Sequence, residues 1–458
     1  MALSTIWHDA GLPAQALNHL TLTGADPVLP SSFAVGAAAQ VSFAAAALAA
    51  AEIGLHRNGL RQQVSVDMRD AAVECCGRFT IDGVAPNIWD KIAGLYACKT
   101  GWVRLHTNFA HHRDGVLRLL GLAPGADTER DAVAAALRGW DAVAFEQAAT
   151  DGGMVVAALR SFDDWDAHPQ SAVIAAQPLV AIERIGDAPP LPRLALPRDQ
   201  RPLSGLRVLE LTRILAGPFC GRTLAAHGAD VMLANSPHLP NIEAIADLSR
   251  GKLSAFADLR DAAGRDALLA MLREADVLLQ GYRPGALAAL GFSPHAVAEV
   301  RPGVVMVSLS AYGETGPWGG KRGFDSLVQT ATGFNLAEAQ AAGETKPRAL
   351  PMQILDMATG ALMAFGAQAA LLRQRTEGGS WHVRVSLART GLWLRQLGRV
   401  ANGFTAPAPS FEGVMETSTS GWGELSSVRP AAMFSHTPAG YARPSMPPGS
   451  HALAWPAR

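Results

Sequence analysis

Between residues 203 and 310 the chain alternates short β-rich apolar runs with helical patterns, a rhythm that few folds other than a parallel sheet accommodate. The strand candidates are LRVLELT, ADVMLAN, LSAFADL, ADVLLQGY and GVVMVSLSAY, and the helix candidates between them are GPFCGRTLAAHG, AAGRDALLAMLREA and GALAALGFSPHAVAEV. Strand, helix, strand at this pace predicts right-handed crossovers and an α/β fold built on a Rossmann-like open parallel sheet. Ligands of such sheets collect at the carboxyl ends of the strands. The loops expected there, TRILAGP, QGYRPG and AYGETGPWGGKRGFD, are rich in Gly, Pro and Arg.

Upstream, the proline-rich stretch APPLPRLALPRDQRPLSG (188–205) reads as a linker, which puts a boundary near residue 202. Residues 91–201 read as a smaller α+β domain. There GLYACKTGWVRLHTNF suggests two short strands joined by a turn, and DAVAAALRGW and AVAFEQAAT suggest helices. The sheet domain is placed at 202–395, a C-terminal segment at 396–458, and the first 90 residues form a region of their own.

That first region contains an internal repeat. Setting residues 356–390 against 37–71 pairs Gly378 with Gly59, Val383 with Val64 and Val385 with Val66, and also matches several alanines. Alanine matches mean little in an alanine-rich chain, so the repeat rests on the Gly and Val matches. In this register Asp356 stands opposite Ala37. One copy has a carboxylate and the other has none.

Composition narrows the function. A chain of 458 residues is long enough for two or three domains with real cores. Its 39 Lys and Arg balance 40 Asp and Glu, with a pI near 6.9, so no basic excess recommends nucleic acid as a partner. Any anion must be held by local groups. The cysteines, Cys75, Cys76, Cys98 and Cys220, make neither a C-x-x-C pair nor a disulfide framework, and a cytoplasmic setting is the expectation. The opening MALSTIWHDAGLPAQ lacks the pattern of a secretory signal. The uncharged stretch AVGAAAQVSFAAAALAAAEIGL (34–55) fits a buried helix better than a membrane span, because it is mostly alanine with Gln40 and Ser42 inside it.

For chemistry, LDMATG places Asp356 where a helix begins. On spacing alone it is a helix N-cap, since Asp accepts hydrogen bonds from free N–H groups there. Arg213 and Arg283 follow strands and could grip a phosphate or carboxylate, or lie solvated. Arg250 and Lys252 in SRGKLS flank a glycine as a weak anion cradle. No phosphate-binding G-x-x-x-x-G-K-[ST] loop, dinucleotide G-x-G-x-x-G or hydrolase G-x-S-x-G occurs at the expected places. His111 and His112 in FAHHRDG lack a partner at ligand spacing, so no metal is expected.

Several ordered phrases together resemble the family III coenzyme A transferases, the CaiB/BaiF family. They are PLSGLRVLELTRILAGPFCGRTLAAHGADV, SRGKLSAFADLRDAAGRDALLAMLREADVLLQGYRPGALAALGF and RPGVVMVSLSAYGETGPWGGKRGFDSLVQTATG, nearly unbroken from 202 to 390. The resemblance puts the family's nucleophilic aspartate at Asp356. It implies coenzyme A over the loops with Arg213, Ile214, Ala216, Gly217, Gly281, Tyr282, Arg283, Tyr312 and Gly313, and Arg250 and Lys252 toward its phosphates. The implied substrates are an acyl-CoA and a carboxylic acid, exchanged through an aspartyl-CoA thioester whose oxyanions are held by N–H groups near the helix start.

Residues 37–200 and SHTPAGYARPSMPPGSHALAW resemble that family's later portion, so the order looks permuted or partly duplicated. Family members are interlocked homodimers, and a reordered chain can close differently. Three departures stand out. The racemase branch carries a His in G-H-D where this chain has GFD with Phe324, which favours transferase over racemase. The glycine-rich loop of some transferases has no clear counterpart, and the acid usual after the second strand is missing from VMLANSP. The competing reading is a non-catalytic CoA-binding or interaction protein.

Overall fold

The computed structural model describes residues 2–192 and 194–457. In chain order the elements that position the site are helix α1 (Val35–Asn58), strand β1 (Val64–Asp67), helix α2 (Met68–Cys75) and helix α3 (Ala110–Leu119). Strand β2 (Ala181–Gly186), strand β3 (Arg207–Leu211), helix α4 (Ala216–Ala226), strand β4 (Asp230–Asn235), strand β5 (Lys252–Phe256) and strand β6 (Val277–Gln280) come next. They are followed by strand β7 (Val305–Ser310), helix α5 (Asp325–Ala331), helix α6 (Ile354–Glu377), strand β8 (Ser380–Ser386) and helix α7 (Leu387–Gln396).

The alternation in the sequence becomes a seven-stranded sheet in the order β5-β4-β3-β6-β7-β8-β2. All neighbours run parallel except β2, which joins β8 antiparallel and closes that edge. The inner strands are buried on both faces, as continuous Val/Leu runs require. The direction of winding reverses between β3 and β6. Their carboxyl ends therefore splay apart and leave a crevice, the place where open α/β sheets take ligands.

Before the large sheet, Gly94–Ala97, Trp102–Leu105 and Val156–Ala158 form a small antiparallel sheet with its own core around Phe145, Val103 and Leu137. The C-terminal segment returns through the whole molecule. Met415–Ser420 pairs with Gly423–Val428, which pairs in turn with Phe79–Ile81, and Ala432–Phe434 pairs with β1. Beyond these, His451 exchanges hydrogen bonds with Ser254, and the Trp455 indole donates to the Met271 carbonyl at 3.0 Å.

The repeat is matched element by element. Helices α1 and α6 are each 24 residues long and start and stop at equivalent positions. Each ends at the paired glycines Gly59 and Gly378, both with positive φ. A strand then leads into another helix, β1 to α2 and β8 to α7, and each of those helices is capped by the residue before it, Asp67 or Ser386. The two long helices pack against each other in the main core, where small residues allow close approach. Both are long and apolar enough to cross a membrane by length and composition, yet their most apolar stretches are 94% and 100% buried here.

Candidate active site

A cavity of about 330 Å³ opens at the crevice between β3 and β6. Its floor is the loop Thr212–Pro218, the loop Gly281–Pro284 and the end of β7 at Ser310 and Ala311; Asp356 and Leu387 reach it from the starts of α6 and α7. The small sheet's unit supplies Phe109, His111, His112 and Val155 to the opposite wall. Two regions far apart in sequence thus face each other across one cleft.

Of the residues expected here, Asp356, Arg213, Ile214, Ala216, Gly217, Gly281, Tyr282 and Arg283 all line the cavity. Gly217 has a steric reason to be glycine: a Cβ there would lie 2.5 Å from the Thr212 side chain. Arg213 lies with its guanidinium 5.2 Å above the Phe109 ring, tying the sheet's loop to the small unit.

Four expected residues lie elsewhere. Lys252 is fully buried beneath the sheet end, ion-paired to Glu210 at 2.8 Å and donating to the Pro218 carbonyl at 2.8 Å. Arg250 is likewise buried, bonded to Asp247 at 2.7 Å, Glu416 at 2.8 Å and the Val428 carbonyl at 3.0 Å. Neither side chain is presented to the cleft, because breaking such a buried pair would strand a charge. Tyr312 is buried against Trp318, with ring centroids 4.9 Å apart, and its carbonyl accepts from Gln170. Gly313, at φ +87°, turns the chain there and donates to Ser310. These two shape the wall from behind it.

Asp356 itself is not the N-cap that its spacing suggested. The cap position is Gln353, and Asp356 is the third residue of α6. The capping carboxylate comes from α5: Asp325 accepts the Asp356 N–H at 2.9 Å and also the Leu355 N–H. The Met357 N–H goes to the Gln353 carbonyl. The N–H groups at the start of α6, expected to hold an oxyanion, are therefore taken. The cost falls on charge, for two carboxyls are now buried side by side. Burial, and then the Asp325 charge, raise Asp356 well above the usual carboxylate range, offset only by the Ala216 N–H. Burial lifts Asp325 to about 7 despite hydrogen bonds from Asp356, Gln329 and Leu355 and the attraction of Arg104. The pair holds a proton near neutrality, and Asp325, with more donors, is the better home for the charge.

Asp325 is the residue that sequence reasoning missed. It stands directly after Phe324 in the GFD phrase, where attention went to the absent histidine. An imidazole does come near that ring, since His106 from the small sheet stacks on Phe324 at 4.0 Å, but burial drives its pKa down to about 3 and it does not line the cleft. Around the cavity, Asp356 is the sole carboxylate among the lining residues, against Arg213, Arg283, Lys321 and Arg322. Among the described residues no cluster of metal-binding side chains occurs.

Comparison with known proteins gives the family. The family described as CoA-transferase family III matches residues 203–419. An acyl-CoA transferase from Gibberella moniliformis is 30% identical over 404 residues, covering 79% of this chain and 70% of that protein. A succinate–glutarate CoA-transferase from Agrobacterium fabrum is 31% identical over 212 residues, 42% of this chain and 52% of its own length, so this chain spans about half of that relative. A crystal structure of a Mycobacterium tuberculosis protein, 31% identical, covers 43% of this chain and 59% of its own, with a TM-score of 0.39. The winding of the sheet, the cleft at its reversal, the aspartate that opens α6, the family match and above all the likeness to the Gibberella protein lead to one assignment: the chain belongs to the family III CoA-transferases.

Proposed function

We propose that this protein moves CoA from an acyl-CoA to a carboxylic acid through a covalent intermediate on Asp356. The observation that carries the reading is a buried carboxyl, the only one among the described residues that line a cation-rich cleft, whose capping duty has been taken over by another residue. In its ionised form the Asp356 oxygen attacks the thioester carbon. The tetrahedral intermediate collapses to a mixed anhydride and releases CoA thiolate, and the thiolate then attacks the aspartyl carbonyl, giving an aspartyl-CoA thioester and freeing the donor acid. The acceptor acid runs the same steps in reverse.

Proton balance and charge set the demands. Asp356 must give up the proton that the pair holds, and the arginines lining the cleft favour that loss. The oxyanion needs donors other than the start of α6. Helix α4 begins at Ala216 with no side-chain cap and its first turn lines the cleft; the Ala216 N–H bonds Asp356, Pro218 has no N–H and the Phe219 N–H goes to the Leu215 carbonyl, so the Gly217 N–H serves in that role. Each such donor is worth roughly 3 kcal/mol in the transition state. Cytoplasmic residence and a homodimer remain part of this proposal. Here the small unit that faces the cleft comes from the same chain. Incubation with a panel of acyl-CoAs and acids tests the reading: CoA exchange that disappears in Asp356→Asn supports it, and exchange that survives the substitution refutes it.

A further inference from the structure

The cleft that Asp356 lines also carries two adjacent imidazoles that the reaction above leaves unused. His111 and His112 open the first turn of α3 with ring centroids 4.1 Å apart. His112 is 4% exposed, and neither of its ring nitrogens has a partner. An imidazole that is buried and unbonded on both nitrogens costs stability for no structural return. The same surroundings leave the Arg213 Nε buried without a partner.

The groups that face this pair are cationic. Arg213 and Arg322 both press on the two histidines, and burial with that repulsion drives His112 down to about 3. Arg322 donates to the Gly153 carbonyl at 2.7 Å and is repelled in turn by Arg283. Lys321 is already neutralised by Glu146 at 2.8 Å. Among the described residues no carboxylate except Asp356 answers these charges on the cavity wall. Neutral imidazole N–H donors beside arginines with spare donor capacity match an oxyanion.

We infer that His112, with His111, Arg213 and Arg322, forms an oxyanion subsite in the cleft that Asp356 lines. Given the function proposed above, the oxyanion comes either from a second carboxylate on the acid or acyl group, or from a phosphate of the coenzyme. The two sources share one chemistry and separate by experiment.

Calorimetric titration of the full chain with succinate and, separately, with ADP reads the subsite without any turnover, so it stands or falls apart from the Asp356 chemistry. Replacing His112 by Phe keeps a flat ring at that position and removes the unbonded nitrogens, and a melting curve checks that the variant folds. A weakening of tenfold or more for succinate alone supports the subsite and assigns it to the carboxylate. The same weakening for ADP, alone or together with succinate, supports it and assigns it to the coenzyme. Unchanged affinity for both probes overturns the inference. Should the His112 variant not fold, Arg322→Gln replaces it: a tenfold loss for either probe supports the subsite, and unchanged affinity for both overturns it.

Discussion

The starts of α1 and α6 are two versions of one arrangement. In α6, Asp325 accepts the N–H groups of residues 355 and 356; in α1, Asp26 accepts those of the equivalent residues 36 and 37. Each helix is capped by a carboxylate brought in from another segment, and burial raises the capping acid in both. The difference lies in the residue that is capped. It is Ala37 in one copy and Asp356 in the other, so only the second holds a carboxyl with no structural duty. A cap alone would explain one acid, whereas a second acid forced against it costs energy and needs another reason.

The sharpest break of that symmetry is Asp356→Asn. It makes α6 resemble α1 in charge while keeping the side chain's size, and CoA exchange measured with radiolabelled acyl-CoA is expected to fall by at least a thousandfold, with CoA still bound.

The next test concerns how α6 is held. A Cβ at Gly360 would lie 2.4 Å from the Ala216 carbonyl, whereas the equivalent position in α1 is Val41. Gly360→Ala should therefore push α4 away from α6, disturb the Ala216 N–H that faces Asp356, and cost about 1–3 kcal/mol in chemical denaturation. Ala37→Asp, the reverse graft, sets a carboxyl beside Asp26 with no cleft to serve, and it should destabilise by about 1–2 kcal/mol without creating activity.

The carboxyl pair also predicts two effects of pH. Folded carboxyls with raised pKa keep protons that the unfolded chain has released, so the folded state binds more protons between about pH 4 and 7. Stability is therefore lost as pH rises through that window. Asp356→Asn, which has nothing to ionise, should be more stable than the parent at pH 8, by on the order of 1–3 kcal/mol, with little advantage at pH 4, read from paired urea titrations. Asp325→Asn removes the neighbouring charge. The rise of exchange rate with pH should move to lower pH in that variant, while Asp26→Asn, which loses the same kind of cap in the other copy, should leave the pH profile where it is.

Much of this could be read from the residues. Strand and helix alternation specified the sheet, because buried parallel strands need continuous apolar runs and crossovers need helices. The paired glycines and valines located both copies of the repeat, down to the ends of α1 and α6. Pairings that bridge distant segments were not legible. Asp325 lies on a different helix from the N–H groups that it caps, so local spacing assigned its role to Asp356. Lys252 and Arg250 sit in a phrase that looks like an anion cradle, but Glu210 and Glu416 arrive from other segments and, with Asp247 one turn before Arg250, consume their charge. His112 was legible as a residue and not as a site, since its meaning depends on Arg213 and Arg322 across the cleft.

The central claim is that Asp356 carries the covalent chemistry because Asp325 carries the cap. Its most direct test is mass spectrometry of the peptide containing Asp356 after incubation with an acyl-CoA and no acceptor. The account predicts a CoA adduct on Asp356 that is released when a carboxylic acid is added. Exchange that proceeds while this peptide stays unmodified would contradict it.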